Sequence, residues 1–121
     1  MFLVEKNVIV GVIYRSPDSV VKDFNECLSS SLDLINKEDK LCYILGDFNI
    51  NLLKNNPDTF TANFLNILYS SYCFPLIHKP TRVKENSATL IDNILTNNLS
   101  EGMKSGVLHL DSIQFNSNLF V

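Results

Sequence analysis

A carboxylate and a carboxamide two residues apart, Asp47 and Asn49, follow an unbroken apolar run in LCYILGDFNINLL at 41–53. In extended geometry alternate residues project to one side. Such a pair at the mouth of a buried strand can hold a cation, orient a water or bind a phosphate oxygen. The same residue types also make acidic turns at strand ends, and spacing alone leaves both readings open. A second acid, Asp92, sits among Leu90, Ile91, Ile94 and Leu95. Burying a charge is costly without a partner, so Asp92 stands at a rim or is paired, with a backbone N–H or Arg82 as the partner. Tyr14 and Arg15 close a second apolar run, VIVGVIY at 8–14. Tyr14 reads equally as a strand-end aromatic packed against the next helix. His78 reads as an ordinary loop or edge residue.

The elements that must position these groups are legible. Val8–Tyr14 and Leu41–Leu45 have the composition of strands buried on both faces. Pro17 stops the first, and Ser16 or Ser19 is available to cap a helix. Val20, Phe24, Cys27, Leu28, Ser31 and Ile35 recur at steps of three and four, which predicts that helix. A strand–helix–strand crossover makes the two strands parallel, and the connection should be right-handed. Their carboxyl ends then share one rim, which brings Tyr14 and Arg15 near Asp47 and Asn49. Asp58 or Thr59 starts a second helix with Phe60, Phe64, Ile67, Leu68 and Ser71 on one face. The segment 72–80, with two prolines, predicts a loop holding a short edge strand. TRVKENS at 81–87 reads as exposed, ATLIDNILT at 88–96 as a third strand, and 107–110 as a short last one.

The chain has 121 residues, a net charge of −3 and three cysteines. That length is one domain or a piece of one. The charge does not suit a strongly basic, freestanding nucleic-acid binder, although a site that collects metal ions is itself acidic. Cys27, Cys42 and Cys73 lie in apolar stretches without a CxxC and read as reduced core residues of an intracellular protein. The N-terminal MFLVEKN meets a charge early and reads as neither a signal peptide nor a membrane span.

Four blocks in order, GVIYRSP at 11–17, GDFNINL at 46–52, PTR at 80–82 and TLIDNILTN at 89–97, resemble the endonuclease/exonuclease/phosphatase superfamily. More narrowly, they resemble the apurinic-endonuclease-like domain of non-LTR (LINE-type) retrotransposons. The resemblance implies an α/β fold, part of a two-sheet α/β sandwich with mixed sheets and outer helices (DNase I-like). It implies Mg²⁺-dependent hydrolysis of DNA phosphodiesters, with Mn²⁺ as the alternative ion, and a nuclear or cytoplasmic location. Tyr14 matches the tyrosine at the scissile phosphate, and Asp47 the aspartate that orients or deprotonates the attacking water. Asn49 matches the asparagine that bonds the phosphate and, with Asp47, helps hold the metal. Asp92 matches the aspartate that orients the catalytic histidine. Arg15, Thr81 and Arg82 fall in blocks near the nucleic-acid face.

The chain departs from that pattern at both ends. Ten residues precede Gly11, and Glu5 lies in no motif that matches the family's early asparagine and metal-binding glutamate. Ser105-Gly106-Val107-Leu108 leads on to His109 and Asp111 without a Ser-Asp-His block. The expectation is a partial domain over 1–121, its N-terminal half absent and its Ser-Asp-His block lost. His109 would serve as catalytic histidine only if displaced. Such a fragment should have little nuclease activity alone. The alternative is a non-catalytic α/β module, left from a decayed element, that self-associates through an uncovered sheet face. Third is a phosphatase of the same superfamily.

Overall fold

A computed structural model of the chain describes residues 2–4, 7–54, 56–99, 106–108 and 118–120. Among the described residues, nine strands and two helices follow in the order β1 (Phe2–Val4), β2 (Val8–Tyr14), α1 (Val21–Lys37), β3 (Leu41–Asp47), α2 (Thr59–Ser70), β4 (Phe74–Pro75), β5 (Arg82–Lys84), β6 (Ser87–Thr89), β7 (Asp92–Thr96), β8 (Gly106–Leu108) and β9 (Asn118–Phe120). Five strands form one mixed sheet in the order β1-β2-β3-β7-β4, with β5-β6 and β8-β9 as separate pairs. Only β2 and β3 run parallel; β1, β7 and β4 join antiparallel. The fold class is therefore α/β with a mixed sheet and helices, as the resemblance implies.

Strand alternation divides the sheet into two faces. Ile9, Cys42, Ile44 and Leu95 lie under the helices, packed with Leu28 and Leu32 of α1 and Phe64 and Leu68 of α2. Phe48, just past β3, completes this core by ring contacts to Phe24 and Phe64 at centroid distances of 6.4 and 5.7 Å. Gly46 makes room for it: a Cβ there would stand 2.7 Å from both the Ile13 carbonyl oxygen and the Phe48 ring. The opposite face carries a smaller cluster of Ile77, Leu90 and Ile94 with Leu45, Leu52, Leu53 and Leu76 against it. Val10, Val12 and Leu41 are exposed.

Several local expectations shift. Helix α1 begins at Val20 as N-cap without a side-chain cap. The Ser19 hydroxyl instead donates to the Ser16 carbonyl and accepts from Arg15. The inner stripe of α1 includes Asn25, whose carboxamide donates to the Phe60 carbonyl at 3.1 Å and ties α1 to the start of α2. With Asn25 inside, Cys27 turns outward and is exposed, while Cys42 and Cys73 are buried. Helix α2 is capped by Asp58, whose side chain accepts from the Thr61 amide at 2.8 Å. The strand expected over 88–96 is divided: Ser87–Thr89 pairs with Arg82–Lys84 as a hairpin, and only Asp92–Thr96 enters the main sheet.

Candidate active site

Strand register does the main work of assembly. Tyr14 pairs with Asp47 across β2 and β3, and Asp47 pairs with Asp92 across β3 and β7. Laterally paired residues share a face, so Tyr14, Asp47 and Asp92 form one row. The row crosses three strands at the carboxyl end of β2 and β3, on the face turned away from the helices. Tyr14 is 69 % exposed and Asp92 only 8 %.

Like charges directly opposed in an antiparallel pair repel. Arg82 sits between the two carboxylates. Its Nε donates to Asp92 Oδ2 at 3.2 Å, and its Nη2 donates to Asp92 Oδ1 and to Asp47 Oδ2, each at 3.4 Å. These bonds raise the guanidinium pKa above its ordinary value, the hydrogen bond to Asp92 foremost. Burial, and next the Asp92 charge, push the Asp47 carboxyl above the usual carboxylate value. Arg82, the Asn49 amide and Arg15 pull the other way and do not cancel that rise.

Two of the residues placed near the nucleic-acid face are buried. Arg15 has 5 % of its surface exposed. Its guanidinium donates to the carbonyls of Phe48 (2.6 Å), Asn49 (2.7 Å), Ser16 (3.1 Å) and Ser19 (2.9 Å). It fastens the turn after β3 to the turn after β2. Asn49 completes the fastening: its carboxamide donates to the Arg15 carbonyl at 2.6 Å, and its backbone N–H to Asp47 Oδ1 at 3.3 Å. Asn49 has φ 50°, a left-handed conformation that asparagine tolerates better than most residues. Thr81 is fully buried, and its hydroxyl accepts from the backbone N–H of Ile91 and of Asp92. It fixes the start of β7 beside Arg82. His78 is exposed in the loop after β4. Glu5, Ser105, His109 and Asp111 lie outside the described residues.

A hard divalent cation takes about six oxygen ligands. Among the described residues no group of three or more His, Cys, Asp or Glu side chains gathers to hold one. Asp47 and Asp92 are the acids of the row, and both already face one guanidinium. Asn49 directs its carboxamide N–H to a backbone carbonyl. The donors described here do not fit a metal without displacement of Arg82.

No protein-family model matches the chain, and no curated protein matches it significantly. Among solved structures the chain is similar to the endonuclease domain of TRAS1, a telomere-specific non-LTR retrotransposon. The TM-score is 0.55 at 13 % identity, over 73 % of this chain and 42 % of that one. The chain has the fold of part of a retrotransposon endonuclease domain. It is also similar to an endonuclease/exonuclease/phosphatase family protein from Leptotrichia buccalis C-1013-b, at TM-score 0.46 and 21 % identity, over 66 % of this chain and 33 % of that one. The chain thus spans less than half of either structure.

Two carboxamides given no role in the sequence reading, the buried Asn93 and the half-buried Asn51, hold the site's frame. Asn93 accepts at Oδ1 from the amides of Ile77 and Ile94 and donates to the Ile77 carbonyl. Asn51 accepts from the amides of Leu53 and Leu90. The one sequence signal for Asn93 was a carboxamide inside an apolar strand, which must find partners when buried.

Proposed function

We propose that this chain carries part of the active site of a retrotransposon-type endonuclease that hydrolyses DNA phosphodiesters, and that it cuts little or no DNA by itself. The observation that carries the reading is the row Tyr14–Asp47–Asp92 on one sheet face, in a chain with the fold of the TRAS1 endonuclease domain. In this reading water attacks phosphorus, the bond to the leaving oxygen breaks, and that oxygen takes a proton from solvent. Asp47 orients the water and takes its proton, a role helped by the burial and the Asp92 charge that raise its carboxyl pKa above the usual carboxylate value. The exposed Tyr14 hydroxyl donates to a phosphate oxygen. Asn49 and Arg15 hold the turn that aims Asp47, and Arg82 balances the charge of the row. Mg²⁺ or Mn²⁺ is the ion this reading expects.

Two assays test this. In the first, a short DNA duplex is titrated into the ¹⁵N-labelled chain. Shifts at the amides of Tyr14, Asp47, Asn49, Arg82 and Asp92 support the reading, and shifts confined to other elements overturn it. In the second, a supercoiled plasmid is incubated with the chain and Mg²⁺. Nicking no greater than that of Asp47→Ala is expected; Mg²⁺-dependent nicking lost in Asp47→Ala overturns the inactivity.

A second reading rests on Val10, Val12 and Leu41, which are 37 %, 56 % and 43 % exposed. The first two are on the row's face of the sheet, as is Leu41 by its pairing with Val8. An apolar sheet face of this kind promotes self-association. Elution that shifts with concentration on size exclusion supports a self-associating, non-catalytic module; a monomer at all concentrations counts against it. Among the described residues no helix is long and apolar enough to cross a membrane.

A further inference from the structure

We infer that the Arg82 guanidinium is the resident cation of the Asp47–Asp92 pair, so that a divalent ion and Arg82 exclude one another there. Strand register forces the two carboxylates to face each other, and a positive group must answer them. Arg82 does so with a fork, Nε and Nη2, on the two oxygens of Asp92, and reaches Asp47 with the same Nη2. Bidentate contact of this kind suits a planar guanidinium and not a point charge.

The delivery of Arg82 is also built in. The backbone N–H of Thr81 donates to the Thr89 carbonyl at 2.9 Å, closing the hairpin beside β7. The Thr81 hydroxyl accepts from the Ile91 and Asp92 amides at 3.2 and 3.3 Å. Arg82 therefore starts its reach from a backbone position tied to Asp92's own. On the other carboxylate, Asp47 Oδ1 already accepts the Asn49 amide, which leaves few oxygens for an ion that wants about six. The two acids and Arg82 together carry a charge of −1 where the acids alone would carry −2. Removing the guanidinium raises the attraction for a cation and opens its place in one step. The inference concerns which cation occupies the row and does not rest on hydrolysis of DNA. A failed nicking assay leaves it standing.

Mn²⁺ is the probe. The ¹⁵N-labelled full chain and its Arg82→Ala and Arg82→Lys variants are titrated with Mn²⁺, and paramagnetic broadening is read at the amides of residues 46–48 and 91–93. In Arg82→Ala those signals should vanish at a Mn²⁺ concentration at least tenfold below that needed in the wild type. Arg82→Lys, which keeps charge but not the fork, should fall between them. Equal sensitivity of wild type and Arg82→Ala overturns the inference. Should Arg82→Ala fail to fold, thermal unfolding of the wild type and Asp47→Asn in Mg²⁺ decides. A midpoint that rises with Mg²⁺ in the wild type and not in Asp47→Asn overturns it, because an ion bound only by the folded state must stabilise that state. Equal responses in the two proteins support it.

Discussion

Replacing Thr81 by valine should separate a positioning role from a binding one. Valine has nearly the shape of threonine, so the substitution leaves no cavity in this fully buried place. It removes one acceptor that serves two backbone N–H groups, those of Ile91 at 3.2 Å and Asp92 at 3.3 Å. A buried donor left without a partner costs about 1–3 kcal/mol. Both bonds are at the long end of the usual range, which places the sum at about 2–4 kcal/mol. Against a typical domain stability of about 5–15 kcal/mol, this is a large loss, equivalent to about ten degrees in Tm for a chain of this size. Urea unfolding followed by far-ultraviolet circular dichroism measures it. Thr81→Ser is the control, since it keeps the hydroxyl and loses one methyl, about 1 kcal/mol. A Thr81→Val protein within 0.5 kcal/mol of wild type, or one more stable than Thr81→Ser, would refute the reasoning. A residue that served only to touch nucleic acid would give that result.

Two further outcomes follow from single positions. Tyr72 ends α2 in a left-handed conformation at φ 54°, and the Cys73 amide donates back to the Leu68 carbonyl across it. Its ring is largely exposed, so Tyr72→Gly should relieve backbone strain with little packing lost, raising stability by about 0.5–1 kcal/mol; a lower urea midpoint would contradict this. Burial pushes the Cys42 thiol up to about 11 and the Cys73 thiol up to about 12. At pH 8 both stay protonated, with roughly one in a thousand or fewer ionised, while Cys27 is exposed. A thiol reagent should therefore react fast with one cysteine per chain in the native state and with three in denaturant. Two fast thiols in the native protein would show that the core is not packed as described.

Local pattern determined the parts of this protein. The apolar runs 8–14 and 41–45 are β2 and the body of β3, and the periodic segments after Pro17 and Asp58 are α1 and α2. Each signal is short-range: strand composition, helical spacing, a carboxylate cap. The crossover between parallel strands followed from the same pattern, because only a long connection can return the chain in the same direction. It brings Tyr14 and Arg15 to the rim that holds Asp47 and Asn49.

Tertiary structure decided what those residues do there. The resemblance placed Arg15 and Arg82 alike near a nucleic-acid face, and the structure separates them: one fastens two turns through backbone carbonyls, the other lies between two carboxylates. The partner of Asp92 was legible only as a choice between a backbone N–H and Arg82. Arg82 is the partner the structure shows on the carboxylate, while Asp92's own amide donates to the Thr81 hydroxyl. The opposition of Asp47 and Asp92 depends on register between strands more than forty residues apart in sequence. A shift of one residue there would send the side chain to the other face. No local rule carries that information; it comes from which apolar residues of β3 and β7 meet under the helices.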